Sequence, residues 1–126
     1  MALSQGKLVT LKKRAEFLRV RGGARWATPV CVVEAKPSAD SSPDQPPRFG
    51  FTVTKKLGKA NVRNRIRRRL KAAVAGLAGT SGKPGTDYVL IARAAAYELP
   101  FAELVKNLDQ ALQRVHHPRS SGRRQR

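Results

Sequence analysis

Between Lys55 and Lys71 the chain carries nine Lys and Arg residues and no acid. Through the same stretch an apolar residue recurs at every fourth position, at Val62, Ile66, Leu70 and Val74, with Ala73 and Leu77 widening the stripe. That period belongs to one face of an α-helix. The segment is therefore expected to bury an aliphatic stripe and carry cations over the rest of its surface. Arg63, Arg67 and Lys71 form one row, and Arg65, Arg68 and Arg69 fill in around it. Asn61 reads as the N-cap, and Gly76 and Gly79 as stop signals. Nine like charges on one short segment repel one another unless something negative lies against them.

The flanking residues build a small sheet for this helix to pack on. Glu16 to Val20, with Leu11 upstream and Gly22-Gly23 behind, predicts a short amphipathic helix. Val30 to Val33 is a β-branched run with Pro29 at its edge, and Phe49, Phe51 and Val53 alternate with Gly50, Thr52 and Thr54. Both read as strands, and the Pro/Ser/Asp-rich loop between them, residues 36–47, suggests an antiparallel pair. A third strand is expected to split from the Phe49 region. Asp87 to Arg93 is apolar throughout its middle, which predicts a central strand covered on both faces. Pro100 opens a last helix with the stripe Phe101, Leu104, Val105, Leu108, Leu112 and Val115. The expected class is α+β in the order α-β-β-β-α-β-α. Residues 1–115 are expected to form a single domain, and 116–126 a disordered basic tail.

Charge balance narrows the partner. The whole chain has 26 Lys and Arg against 8 Asp and Glu, a net charge of +18 over 126 residues. Nucleic acid and an anionic membrane surface are the two polyanions in question. The stripe of the basic helix is aliphatic, lacks Trp and Phe, and is of the size a core uses, which fits a membrane-surface helix poorly. No 18 apolar residues run consecutively, and the first fourteen residues hold no apolar run of signal-peptide length. The single cysteine, Cys31, fits a reducing cytosol. A strand, then Lys55-Lys56-Leu57-Gly58, then a helix bearing Arg63-Asn64-Arg65 is suited to phosphate: helix N-termini favour anions and guanidinium forks match their oxygens. Asn64 would read a base edge or orient a neighbouring Arg.

The stretch Phe49-Gly50-Phe51-Thr52-Val53-Thr54-Lys55-Lys56-Leu57-Gly58-Lys59-Ala60-Asn61-Val62-Arg63-Asn64-Arg65-Ile66-Arg67-Arg68 closely resembles the signature of the bacterial ribonuclease P protein subunit. Leu11-Lys12-Lys13 with Glu16-Phe17, and Val89 to Arg93, extend the likeness over most of Lys7–Val115. The resemblance implies a mixed sheet with a left-handed βαβ crossover around the basic helix, a hand the general rule would not predict, in a domain similar to ones in ribosomal proteins. It implies a subunit that binds a catalytic RNA and precursor tRNA, the RNA cleaving the 5′ leader with Mg²⁺ bound mainly by itself, in the cytoplasm. Carried onto this chain, Lys55, Lys56, Arg63, Asn64, Arg65, Arg67, Arg68 and Arg69 face the RNA, and Phe17 and Arg21 line a cleft for the leader. Many relatives have a second aromatic where this chain has Arg21, so leader binding is expected to lean on charge. No catalytic or metal-ligating residue and no protein partner is implied.

Other signals carry less. Gly76 to Lys83 lacks the glycine and the Ser or Thr of a phosphate loop. His116 and His117 have no Cys or carboxylate at ligand spacing and read as solvated tail residues. Cys31 in a predicted strand reads as core. Phe17 either packs in a core or stacks on a base, and Trp26 is open between the same roles. Eight scattered acids offer no nuclease site, and a structural RNA-binder such as a ribosomal protein or RNA chaperone is the alternative that composition alone leaves standing.

Overall fold

The computed structural model describes residues 8–38, 45–77 and 81–116. In chain order the elements are β1 (Val9–Thr10), α1 (Arg14–Val20), β2 (Ala24–Ala27), β3 (Cys31–Pro37), β4 (Arg48–Thr52), α2 (Ala60–Leu77), β5 (Thr86–Ala92) and α3 (Phe101–Arg114), with single 3-10 turns at Lys55–Leu57 and Ala94–Tyr97. The strands form one sheet in the order β1-β4-β5-β3-β2. β1, β4 and β5 run parallel, β3 is antiparallel to β5, and β2 is antiparallel to β3. This is the α+β class expected, and β5 is the central strand that its unbroken apolar middle requires.

Strand alternation assigns the two faces. Cys31, Val33, Phe49, Tyr88 and Leu90 point to one side and meet the stripes of α2 and α3. Phe49 and Tyr88 are register partners whose rings stack 5.0 Å apart at 10°. Ile66, Leu70 and Val74 of α2, and Leu104, Leu108 and Leu112 of α3, are fully buried there. The opposite face carries a smaller cluster, Leu11, Val20 and Val89, with Phe17 and Ile91 packed partly against it. α1 lies over this face. Gly50 makes its approach possible, because a Cβ at that position would sit 2.5 Å from Cε2 of Phe17.

Several expectations need correction. The Val30 and Phe49 runs do not pair, since β5 enters between β3 and β4. Only the middle position covers both apolar faces of β5, and the α2 crossover is long enough to deliver it there. The additional strand is Ala24–Ala27, ahead of β3 and not split from the Phe49 region. Its turn is held by Thr28, whose Oγ1 accepts from the N–H of Val30 (3.2 Å) and Cys31 (3.1 Å). β1, only two residues long, carries no signal in the sequence. α2 starts at Ala60, so Asn61 is inside the first turn, and Gly76 lies within the helix. Phe101 is 47% exposed and outside the buried stripe of α3. Lys36 and Pro37 of the expected loop belong to β3, and residues 39–44, like Gly79 and 117–126, lie outside the described residues. His116 is not a solvated tail residue: its Nε2 is 2.6 Å from the Tyr88 hydroxyl.

One carboxylate ties these pieces together. The Asp87 side chain, at the start of β5, has no exposed surface. Arg48 of β4 grips both its oxygens, Nε to Oδ1 and Nη2 to Oδ2, each at 2.9 Å. Ser38 Oγ donates to Oδ1 at 2.8 Å, and Arg19 of α1 reaches Oδ2 at 3.3 Å. Arg48 Nη1 also lies 3.5 Å from Glu16 on α1. Burial alone would raise the Asp87 carboxyl, but the donors from Arg48, Ser38 and Arg19 outweigh it and hold it below the ordinary aspartate range.

A depressed folded value means that the stabilisation is complete above the unfolded value, about pH 3.9, and is lost as pH falls through the lower folded value. Acid unfolding of the native chain should therefore steepen below about pH 4. Asp87→Asn should remove that component. It should also cost roughly 3 kcal/mol at neutral pH, the lower end for a broken buried pair, because its two arginines keep some access to solvent. Urea unfolding at a series of pH values checks both.

Candidate nucleic-acid interface

The basic surface begins where β4 ends. Thr54 leads into the 3-10 turn Lys55–Leu57, which closes on Gly58 with φ +141°, a conformation that favours glycine. A Cβ on Gly58 would also press to 3.0 Å from Val62 of α2. Lys55 and Lys56 are thereby set beside the start of the helix. The Gly58 carbonyl accepts from Arg63 Nε at 3.1 Å, which fastens the turn to the helix.

At roughly 100° per residue, the buried stripe of α2 sends Arg63 and Arg67 to one flank and Arg65 and Arg69 to the other. Asn64 and Arg68 point away from the core. Arg65 Nε donates to the Tyr97 carbonyl at 3.1 Å, and its guanidinium carbon lies 4.8 Å from the centre of the Tyr97 ring. Arg69 donates to the carbonyls of Ala96 (2.6 Å) and Leu99. Burial first, and the charge of Arg65 second, lower the pKa of Arg69, which nevertheless remains a cation. Arg67 donates to Oδ1 of Asn64 at 3.3 Å, so Asn64 orients a neighbouring arginine, one of its two expected roles. Lys55, Lys56 and Arg68 are exposed, and their side chains make no hydrogen bond or ion pair among the described residues. The predicted residues thus separate into groups: Arg69 engaged on backbone, Arg63, Arg65 and Arg67 anchored but partly open, and three cations free to meet a ligand.

The second surface lies on the other face of the sheet, under α1. Phe17 lies over Gly50, and the groove beside it has Thr52, Val89 and Ile91 as its floor. Arg14, Leu18 and Arg21 form the rim. Phe17 packs on the minor core and also lines the groove. Glu34, buried on the floor, is met by Arg25 at 3.4 Å. Thr52 is the last residue of β4, three residues before Lys55.

Other candidates fall away from these surfaces. Trp26 packs partly against the main core on the helix-bearing face, with Arg114 5.5 Å from its ring. Cys31 is core, and burial pushes its thiol up to about 12. Leu18 at the groove rim is 45% exposed, and Tyr97 and Phe101 are the other exposed large apolar residues among those described. Leu18 was detectable as an apolar residue off the inward stripe of α1. Asp87 carries no sequence signal, because its arginines are distant in the chain, and Glu34 pairs with Arg25 only through the register of the β2–β3 hairpin.

Fold and site together define a small α+β domain that presents a directed row of cations to a polyanion. The comparisons make this specific. The ribonuclease P family model matches residues 6–116. The chain is 41% identical to the ribonuclease P protein component of Brucella suis over 96% of this chain and 89% of the relative. It is 45% identical to that of Paramagnetospirillum magneticum over 86% and 84%. The fold is similar to the RNase P protein of Staphylococcus aureus (27% identity, TM-score 0.69, covering 85% of this chain and 94% of that one). It is also similar to that of Thermotoga maritima (24% identity, TM-score 0.71, covering 83% and 96%). The chain belongs to the ribonuclease P protein family.

The directed side chains should matter more than charge alone. Arg68→Ala is expected to weaken RNA binding by ~1.5–3 kcal/mol and to reduce the slope of log affinity against log salt by about 1. Lys106→Ala, on an exposed part of α3, should do neither. Filter binding over a salt series, with both variants in parallel, is the measurement.

Proposed function

We propose that this chain, a ribonuclease P subunit acting in tRNA processing, holds the catalytic RNA along α2 and the Lys55–Lys56 turn and the 5′ leader of precursor tRNA in the α1 groove. The observation that carries the reading is the acid-free helix on which Arg63, Arg65 and Arg69 are anchored on backbone carbonyls while the side chains of Lys55, Lys56 and Arg68 stay free. Anchored guanidinium groups lose little freedom on meeting phosphate, so their contacts are stronger than those of a mobile tail. The groove supports the second half, since it combines an aromatic ring with cations at its rim, the combination that holds single strands. The floor strand β4 runs from the groove into the basic turn, so one protein would position leader and RNA core together.

In this reading hydrolysis belongs to the RNA, with Mg²⁺ bound mainly there. The carboxylates of Asp87, Glu16 and Glu34 are each turned toward an arginine, which supports a binding role for this chain. No helix among the described residues is long and apolar enough to cross a membrane, and the cytoplasm, where precursor tRNA is made, is the proposed site of action. Family membership disfavours the ribosomal-protein and RNA-chaperone alternative.

Reconstituted cleavage tests the assignment. Precursor tRNA should be cut by the RNA with the chain at Mg²⁺ concentrations where the RNA alone is slow, and the chain alone should not cut it. Arg21→Ala should weaken holoenzyme affinity for precursor tRNA by ~1–2 kcal/mol and leave mature tRNA affinity unchanged. Equal losses for both RNAs would remove Arg21 from the leader groove.

A further inference from the structure

We propose that Tyr97 and Phe101 form a stacking shelf for an unpaired nucleotide of the RNA held by α2. The only large apolar side chains exposed among the described residues are Leu18, Tyr97 and Phe101. Leu18 belongs to the groove under α1, whereas the other two stand in the segment that the arginines of α2 hold. Tyr97 is 37% exposed and Phe101 47%. A protein with this much charge has no packing need to leave them in water.

Their setting is rigid. The Ala94–Tyr97 turn closes through the Ala96 N–H to the Arg93 carbonyl at 3.0 Å, and Leu99 N–H bonds to the Ala95 carbonyl at 3.1 Å. Arg69 clamps the carbonyls of Ala96 and Leu99, and Arg65 holds the Tyr97 carbonyl while lying over its ring. Phe101 follows as the first residue of α3. The segment that carries both residues is thus held against α2, and the Tyr97 ring lies under Arg65, which leaves little backbone ordering to occur on binding.

Charge tells which part of a nucleotide they meet. Glu98 and Glu103 are exposed on the same segment, so the shelf itself repels phosphate while the adjoining helix attracts it. A base face fits such a site, stacking on an aromatic ring while its own phosphates lie toward Arg65 and Arg68. Double-stranded RNA, whose bases are already stacked, cannot use it.

The inference rests on α2 being the RNA-binding helix, and the test separates the two. Binding of the intact chain to ribonuclease P RNA is measured over a salt series for Phe101→Ala, Phe101→Trp and Arg68→Ala, alongside thermal unfolding. Phe101→Ala should lose about tenfold in affinity with an unchanged salt slope and melting temperature, and Phe101→Trp should retain affinity. Arg68→Ala should lower the slope. If Phe101→Ala binds as the native chain while Arg68→Ala is weakened, the shelf is wrong and the helix reading stands. If neither changes, both fall. A Phe101→Ala effect on self-association alone, with RNA binding intact, would assign the patch to protein contact and also overturn the shelf.

Discussion

The buried carboxylate of Asp87 is the constraint on which the arrangement of both surfaces depends. It lies at the head of the central strand and takes two parallel bonds from Arg48 on the neighbouring strand. Through Arg19 directly, and through Arg48 to Glu16, it reaches two successive turns of α1. α1 has only seven residues and a small apolar contact beneath it, too short to hold its direction by propensity or packing alone. The ion pairs supply that direction. The width of the groove is therefore set by electrostatics at one end of the sheet and by the absence of a side chain at Gly50.

α2 solves a different problem with the same chemistry. A helix this cationic is destabilised by its own charge, yet it packs three fully buried aliphatic side chains against the sheet. Backbone carbonyls absorb part of the strain in place of acids: Gly58 takes Arg63, Tyr97 takes Arg65, and Ala96 and Leu99 take Arg69. Carbonyl partners orient a guanidinium without cancelling its charge, so the helix keeps its field while losing the mobility of its side chains. An acid at any of those positions would have stabilised the free protein more and drawn a polyanion less.

What could be read beforehand follows the range of the interactions involved. The stripe of α2, the cover on both faces of β5 and the apolar face of α3 are periodic and local, and they emerge from the chain as written. The sheet order does not, because whether the Phe49 strand lies beside β3 or is separated from it by β5 is decided by crossover length and by competition for the central position. β1 and β2 are too short to show alternation, and β2, with Ala24, Arg25, Trp26 and Ala27, lacks the β-branched residues that mark its neighbour. At the candidate site, residue type and spacing were enough to nominate the cations of α2. They were not enough to separate Arg69, committed to backbone, from Arg68, left free, since that difference arises from a turn some thirty residues away.

The insertion of β5 between two earlier strands also sets the order in which the protein can be made. The β2–β3 hairpin can close as soon as it leaves the ribosome, but β3 and β4 are joined only through β5, which ends at residue 92. During synthesis the basic helix emerges before the strand that will anchor it, with its aliphatic stripe uncovered and its cations unopposed. Pairings this distant in sequence are slow to form relative to local helix and hairpin closure. Completion of one central strand is therefore the step that turns a polycationic segment into a shaped surface.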